Sequence, residues 1–492
     1  MSRVTIPISG FYQSDSLPIS NQQCDNWYVN VPQTQGALSP STLYGCSGIT
    51  QFETTGPLNQ VNRGAHVKAG KPYFVNGTDI YRVDRTVAVD GTETIDIVNL
   101  GTIPGSGRVS MADNGTELMV LVPGGNGYII NEDALPVFQQ ITAPGFTANG
   151  NPQYVVFINS FFVCSTDSKK FIRSDANQGL VWNSLNSGTA EADPDNIVAP
   201  IVHKNQLFMF GSETGEVFEG VPQGGLGFQR INGFIINKGL FAPFSLIDAN
   251  DTFMFIGGGV NESPAVWALN GSTVQKVSTT AIDSALQDFS NEEIETAFAY
   301  TYAQNGAFFV GFSVGNRTFE FNTITALWNE RTSRVLDEFG QTVIDRWRAN
   351  SVVTAYNRVI VGDSQDGRLG VLNPDIYAEY GNEIVRTFTT QPFADQGNVL
   401  TISQLELTVE SGVGDFTTTD PVIRMSYSDN GKSFNNELSR FIGKIGEFSK
   451  RCIWRRLGRI PRYRVFKFVM SDPVKPVVIK LEAQARGYQI GS

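Results

Sequence analysis

The chain has 492 residues, of which 41% are apolar and 17% are charged, and its net charge is −11. Its length can bury a large core and allows roughly two to four domains. The acidic balance argues against a protein whose main task is to hold a nucleic-acid backbone, because that task needs clustered Lys and Arg. With 34 Phe, 15 Tyr and 49 Gly, the composition favours strands and tight turns. The sequence therefore predicts an all-β protein.

The amino terminus and the cysteines bear on the cellular compartment. The first residues, MSRVTIPISG, lack the basic and apolar regions of a secretory signal, and no stretch has the roughly 18 apolar residues of a membrane span. We expect no membrane insertion. Cys24, Cys46, Cys164 and Cys452 are widely spaced, which predicts free thiols in a reducing cytoplasm. A disulfide between Cys24 and Cys46 is the alternative.

A pair of short strands around a turn recurs seven times along the chain. Each pair has two runs rich in Val, Ile, Phe and Tyr, separated by Gly, Asn or Asp, which is typical of a hairpin. The pairs lie at residues 71–84, 117–131, 154–173, 202–219, 252–269, 306–321 and 357–372. Their starts are 37 to 54 residues apart, as in a propeller whose blades have four strands. The spacing predicts a β-propeller of six or seven blades over residues 56–375. Unrelated hairpins in a sandwich or β-helix are the alternative.

The two ends of the chain differ from this repeat. Longer alternating strands are expected at residues 400–410, 421–427, 465–470 and 477–482. They predict that residues 376–492 form a β-sandwich-like platform domain, to which the N-terminal segment, residues 1–55, is a candidate addition. Between two blades, residues 281–288 predict a short helix, and Ser290 with Glu293 predicts the capping box of a second one. We expect this insertion to carry no site.

The residues that carry chemistry are scarce. His66 and His203 are the only histidines, and neither has a Ser or Cys neighbourhood that would suggest a nucleophile. We therefore predict no enzyme, no metal and no cofactor. The stretch 429–434, DNGKSF, resembles an Asp-box turn, in which an Asx side chain ties the turn to its own backbone and the aromatic ring fills the core.

The outlier in this acidic chain is residues 450–467, KRCIWRRLGRIPRYRVFK, which hold eight Lys or Arg and no acid. The run could bind nucleic acid, with Trp454 and Tyr463 among its cations. It could form ion pairs with an acidic neighbour in an assembly. It could also be a pair of strands whose cationic stems cover the sheet. We favour the ion pairs. The predicted partner-binding residues are Arg451, Trp454, Arg455, Arg456, Arg459 and Arg462.

Several stretches resemble the packaged-DNA stabilisation proteins, also called tail hub or nozzle proteins, of short-tailed Salmonella phages. The likeness is carried by KRCIWRRLGRI at 450–460, by GSGRVSMA at 105–112 and by residues 278–301, which share a Ser-Thr start, a short helix and a Glu-Glu pair. Shorter likenesses lie at 43–50, 61–64, 238–239 and 361–363. They keep the same order from about residue 25 to residue 482.

The resemblance implies a structural protein of the virion tail without catalytic residues. It implies a homo-oligomer, a hexameric ring assembled in the host cytoplasm beneath the portal and the adaptor, or head-to-tail connector. The ring would help to retain packaged DNA, which passes through its lumen, and would dock tailspikes or fibres and a plug or needle. One rival is a propeller that binds or cleaves host glycans, and another is a nucleic-acid-binding module built on the basic run.

Overall fold

The computed structural model describes residues 2–488, apart from 35, 58–59, 191–194, 222–225, 338, 396–397 and 415–416. Strands dominate this part of the chain, as the composition predicted. It also contains a 3-10 turn at Pro144–Phe146 and two short α-helices, Thr280–Gln287 and Asn291–Glu295. Neither helix is long and apolar enough to cross a membrane.

Seven antiparallel sheets, which we call blades 1 to 7, form a closed ring. In each blade the strand that comes first in the list below is innermost. The inner strand of each blade contacts that of the next, and blade 7 contacts blade 1. The described residues therefore form a propeller of seven blades, within the predicted range of six or seven.

The strands of the propeller are as follows, blade by blade: Asn62–Lys68, Lys71–Asn76, Asp79–Val87 and Glu93–Thr102; Ser110–Asp113, Glu117–Val122, Asn126–Asn131 and Phe138–Gln140; Pro152–Ile158, Phe161–Thr166, Lys170–Asp175 and Gln178–Thr189; Ile197–His203, Gln206–Gly211, Gly215–Gly220 and Phe228–Ile236; Gly239–Leu240 with Ile247–Asp248, Phe253–Gly258, Ala265–Asn270 and Thr273–Lys276; Phe298–Gln304, Ala307–Val314, Arg317–Asn322 and Leu327–Glu330; Ala349–Ala355, Arg358–Asp363, Arg368–Asn373 and Gly48–Thr54.

The predicted hairpins supply the middle strands of the seven blades. Their turns use glycines at positive φ, such as Gly77 and Gly315, with φ of 57° and 51°. Glycine adopts this backbone conformation without steric cost, which permits a tight turn between two strands. The hairpins could be predicted from the sequence because each consists of neighbouring residues and includes the residue types that form tight turns.

The ring is closed by the N-terminal segment. Strand Gly48–Thr54 pairs antiparallel with Arg368–Asn373 and so supplies the outer strand of blade 7. The sequence analysis had assigned these residues to the segment before the propeller. The domain boundaries at residues 55 and 375 stay predictions, but the pairing joins the first and last strands of the ring.

A sandwich of two sheets follows the propeller. The first sheet contains Cys452–Ile460, Val399–Val409, Val477–Tyr488, Thr42–Gly45 and Trp27–Asn30, and Ser2–Ile6 also pairs with Val477–Tyr488. The second contains Cys24–Asp25, Arg386–Thr389, Val465–Met470, Val422–Ser428 and Leu438–Phe441. Leu405 and Trp454 of the first sheet and Phe388 and Phe468 of the second belong to one buried cluster. The remaining strands are the hairpin Thr332–Leu336 with Thr342–Arg346, the pair Tyr12–Gln13 with Asn21–Gln22, and Ala378–Glu379 with Asn382–Glu383.

The second sheet of the sandwich runs on into blade 6. Asp25 pairs with Glu330, the last residue of the outer strand of that blade. The hydrophobic cluster that fills the sandwich also includes Phe312 and Trp328 of blade 6 and Leu286 of the first helix. The core of the sandwich therefore continues into blade 6 of the propeller.

The cysteines and the helix caps follow the sequence predictions. All four cysteines are free and buried, and the alternative disulfide between Cys24 and Cys46 is not formed. Burial raises the pKa of the Cys46 thiol to about 12. At the second helix, the Ser290 side chain accepts a hydrogen bond from the Glu293 N–H and the Glu293 carboxylate accepts one from the Ser290 N–H, which is the predicted capping box.

Asp25 lies at the junction of the two domains, and no described residue forms a hydrogen bond with its buried Oδ1 atom. By contrast, Glu330 beside it is held by Arg317 at 2.7 Å. Burial, and then the charge of Glu330, raise the pKa of Asp25 to about 8, although Lys467 and Arg317 oppose the shift. The junction therefore favours a neutral Asp25.

The raised pKa of Asp25 predicts that stability falls as pH rises. Since an unfolded Asp titrates near about 3.9, the folded chain holds a proton that the unfolded chain loses, and this contribution is lost progressively up to about pH 8. We expect Asp25→Asn to be more stable than the parent at pH 8 and to show a smaller loss from pH 5 upward. Urea unfolding across that range measures it, with the exposed Asp251→Asn as the control. Identical pH profiles for parent and Asp25→Asn would contradict it.

Ring closure predicts that Gly48 does not tolerate a side chain. A Cβ atom there would lie 2.3 Å from the backbone oxygen of Ala378 and 2.7 Å from that of Ile376. We expect Gly48→Ala to lower the free energy of unfolding by about 1–3 kcal/mol, because backbone atoms must move. The control is Gly107→Ala, where a Cβ would meet no atom within 4 Å. Equal urea midpoints for the two variants would show that the strand does not close the ring as described.

Candidate functional site

The basic run forms two strands that lie in opposite sheets of the sandwich. Strand Cys452–Ile460 pairs with Val399–Val409 in the first sheet, and Val465–Met470 pairs with Val422–Ser428 in the second. The alternative of a strand pair is therefore wrong in its geometry, since the two strands do not pair with each other. Cys452–Ile460 is the edge strand of its sheet, so one of its borders is not paired with another strand of that sheet.

A β-bulge sets which arginines point outward. The register of Cys452–Ile460 against Val399–Val409 shifts between Arg455 and Gly458, and Arg456 adopts a positive φ of 58°. A bulge places an extra residue on one strand and re-aims its side chains. As a result Trp454 and Leu457 are buried, while Arg455 and Arg456 between them are both exposed.

Four arginines of the run are exposed and lack a carboxylate partner within the described part of the chain. We call Arg455, Arg456, Arg459 and Arg462 the basic edge. Cations that a fold leaves unpaired at one border of an acidic chain are available to a partner.

Arg451 differs from these four because its guanidinium forms an ion pair with an acid of the same chain. It donates two hydrogen bonds of 2.7 Å to the Glu406 carboxylate, and Arg3 contacts the same group at 3.1 Å. The Arg451 guanidinium is the main cause that lowers the pKa of Glu406. Among the predicted partner-binding arginines, Arg451 therefore forms an ion pair within the chain.

Trp454 lies in the core of the sandwich, although the sequence analysis placed it among the partner-binding residues. Its ring packs edge-on against Phe468 at 5.7 Å between centroids, and its indole N–H donates to the Leu438 carbonyl at 2.8 Å. With 0% of its surface exposed, Trp454 has no face left for a partner. It anchors the edge strand from the inside.

Arg464 is the buried arginine of the basic run, and its role was not predicted from the sequence. It donates to Asp429 at 2.6 and 2.8 Å and to the carbonyls of Leu457 and Arg459 at 2.5 and 3.2 Å. Its guanidinium lies 3.9 Å from the centre of the Tyr427 ring. Arg464 therefore holds the end of the edge strand in place from the core side.

The Asp-box turn is tied by an Asx side chain, as predicted, but its aromatic residue lies elsewhere than expected. Asn430 supplies the tie, because its Oδ1 accepts from the backbone N–H groups two and three residues later at 2.8 and 2.9 Å. Asp429 is engaged by Arg464. Phe434 is half-buried, with the Lys467 amine 5.7 Å from its ring, and does not fill the core. The turn is structural.

The histidines form ion-pair contacts and no cluster. His66 lies 2.7 Å from Asp113 and His203 lies 3.2 Å from Asp248. Over the ranges that the structure describes, no group of three or more His, Cys, Asp and Glu could hold a metal ion. The surface feature with the clearest capacity for an interaction is thus the basic edge.

Comparison with known proteins identifies the family. The family described as "Bacteriophage P22 Gp10, beta-propeller" matches residues 4–377, and "Bacteriophage P22 Gp10, beta-sandwich" matches residues 385–486. The chain belongs to the bacteriophage P22 Gp10 family. The tail hub protein gp10 of Salmonella phage P22 is 22% identical over 437 residues, which cover 85% of this chain and 86% of that protein.

Membership of the P22 Gp10 family confirms the resemblance and the fold of propeller plus sandwich. The chain is a structural component of a phage virion tail and not an enzyme. Among solved structures, the N-terminal domain of Nup159 (TM-score 0.42, 9% identity) covers 72% of this chain and 99% of its own length. The WD40 propeller of Doa1 (TM-score 0.38, 12% identity) covers 66% of this chain and 97% of its own length. At these TM-scores the likenesses add nothing to the assignment.

The buried position of Trp454 predicts a stability effect. We expect Trp454→Ala to lower the free energy of unfolding by about 3–5 kcal/mol, because it leaves a cavity and an unpaired Leu438 carbonyl. Tyr463→Ala, in the same run but half-buried, should cost clearly less. Urea unfolding followed by fluorescence measures both variants. A Trp454→Ala protein as stable as the parent would show that the indole is not in the core.

Proposed function

We propose that the chain is the subunit of a hexameric tail hub ring that attaches beneath the portal and adaptor, and that the basic edge contacts an acidic surface of the adaptor or of the adjacent subunit. The observation that carries the proposal is a set of four exposed arginines, none paired with a described carboxylate, in a chain of net charge −11. Since the chain as a whole is acidic, the basic edge of one subunit can contact an acidic surface of another subunit or of another acidic protein. Complementary charge sets the orientation and speed of association.

A protein partner fits the basic edge better than nucleic acid does. Single-strand binding combines cations with aromatic rings on which bases stack, but Trp454 is buried and Tyr463 is half-buried. Duplex binding relies on many phosphate contacts, whereas the edge offers four cations. The acidic remainder of the chain suits a DNA conduit whose wall does not bind phosphate.

The wider role follows from the family and from the geometry of rings. A ring of identical subunits needs two different complementary patches on each subunit, and a propeller offers several rigid surfaces around its rim. We propose that the assembled ring helps to retain packaged DNA, lets it pass during ejection, and docks tailspikes or fibres and a plug or needle. Assembly would take place in the host cytoplasm. The P22 relative is a tail hub protein, which supports this role over glycan binding.

Removal of the basic edge should impair assembly without affecting folding. We expect a variant with Arg455, Arg456, Arg459 and Arg462 changed to Gln to keep its urea midpoint but to bind its adaptor–portal complex at least about tenfold more weakly, since several charge pairs are lost. Mass photometry of the chain with that complex measures the change, and the parent should add six copies. Arg451 is left intact because its pair with Glu406 is structural.

The matched control removes four exposed lysines that also lack a carboxylate partner among the described residues: Lys169, Lys170, Lys204 and Lys432, each changed to Gln. It alters net charge by the same amount as the arginine variant. Equal weakening by both variants, or none by the arginine variant, would contradict the role of the basic edge. A parent chain that ignores the complex and binds duplex DNA with a steep salt dependence would support the nucleic-acid reading instead.

A further inference from the structure

A cavity of about 830 Å³ lies in the propeller. Its wall comes from strands and connecting turns of blades 2 to 5 and from the second helix. Apolar side chains dominate the wall, among them Val122, Tyr154, Leu240, Phe244 and Ile294. The helical insertion that we expected to carry no site therefore forms one side of this cavity.

Arg108 lies in the wall of this cavity, and no carboxylate among the described residues pairs with it. Its guanidinium carbon lies 3.8 Å from the centre of the Phe298 ring and 5.6 Å from that of Phe244. One nitrogen donates to the Asn350 carbonyl at 2.6 Å, and the buried Nε atom has no hydrogen-bond partner in the described part of the chain. A cation so placed is short of both negative charge and acceptors.

Arg346 supplies a second positive charge beside the Phe298 ring that Arg108 contacts. Its guanidinium carbon lies 5.3 Å from the centre of the Phe298 ring, and it donates to the Asn350 side chain at 2.8 Å. Within the described residues neither arginine has a carboxylate partner. Burial, and then the charge of Arg346, lower the pKa of Arg108 to about 9. The two guanidinium groups thus lie beside one aromatic ring, and no described carboxylate forms an ion pair with either of them.

We propose that this cavity binds a segment of another protein that combines apolar side chains with a single carboxylate, and that the carboxylate pairs with Arg108. The apolar wall suits apolar side chains, and the volume lies in the range of sites that enclose small ligands or short peptide segments. The unpaired guanidinium supplies the charge that a carboxylate complements. This inference concerns a different surface from the basic edge and does not depend on it.

The acids in the wall of the cavity argue for one carboxylate and against a polyanion. Glu295 is exposed there and forms no ion pair in the described chain, and Glu262 is held by Lys238. A nucleic-acid backbone would bring several phosphates close to these carboxylates and be repelled. A protein segment with one acid can pair with Arg108 and keep its apolar side chains against the wall.

An array of octapeptides of random sequence, probed with the full-length chain, tests the proposal. We expect the bound peptides to be enriched in sequences that combine apolar residues with one Asp, Glu or free carboxyl terminus. Fluorescence polarisation of the best peptide should show affinity reduced by about ten- to a hundredfold in Arg108→Gln, which loses a charge-assisted hydrogen bond. Amidation of its acid should have the same effect.

The controls keep the test decisive if Arg108→Gln does not fold. Arg173→Gln removes another half-buried arginine that stacks on a ring, 4.2 Å from the centre of Phe161, and it should leave peptide binding unchanged. Glu295→Gln removes an exposed negative charge from the wall and should raise the affinity for acidic peptides.

Three results would overturn the proposal. The first is an array with no enrichment of acidic, apolar peptides. The second is peptide binding that changes in neither Arg108→Gln nor Glu295→Gln. The third is duplex DNA that binds the chain in an Arg108-dependent manner, which would point to a phosphate ligand. None of these results bears on adaptor binding, so the proposed function is tested separately.

Discussion

The fold depends on how the first 54 residues are shared between two domains. Strand Thr42–Gly45 belongs to a sandwich sheet, and strand Gly48–Thr54, only two residues later, closes blade 7. A propeller whose last blade takes its outer strand from the start of the chain cannot open without breaking that pairing. Because the same segment is anchored in the sandwich, neither domain can move far from the other without straining a short connection.

A buried polar network fixes this crossing point. The Arg331 guanidinium donates to the Ser47 carbonyl at 2.9 Å and to the Tyr302 hydroxyl at 3.2 Å. It lies 3.7 Å from the Glu320 carboxylate and 3.8 Å from the centre of the Trp347 ring. A buried charge that loses one of its partners is strongly destabilising. The network therefore ties the N-terminal segment to blades 6 and 7 and penalises a shifted register.

The sequence analysis predicted the structural features that depend on local contacts and missed those that depend on contacts between distant residues. The hairpins, the capping box at Ser290 and the strands of the sandwich were readable, because each depends on residues a few positions apart. The pairing of Gly48–Thr54 with Arg368–Asn373 joins residues over 300 positions apart. No local sequence pattern predicts such a pairing. The same holds for the site: the cluster of cations was visible in the sequence, but the bulge at Arg456 and the burial of Trp454 depend on Val399–Val409 and Phe468.

The charges that remain unpaired indicate where the fold needs another molecule. In the basic run, Arg451 and Arg464 have acids supplied by distant strands and turns, so their placement is explained by stability within the chain. The arginines of the basic edge lie on a bulged edge strand, where charge and irregularity also prevent unwanted pairing between sheets. That protective role would be met by one or two cations. Four cations in a chain with an excess of acids are more than protection of an edge requires, and a complementary surface accounts for the surplus.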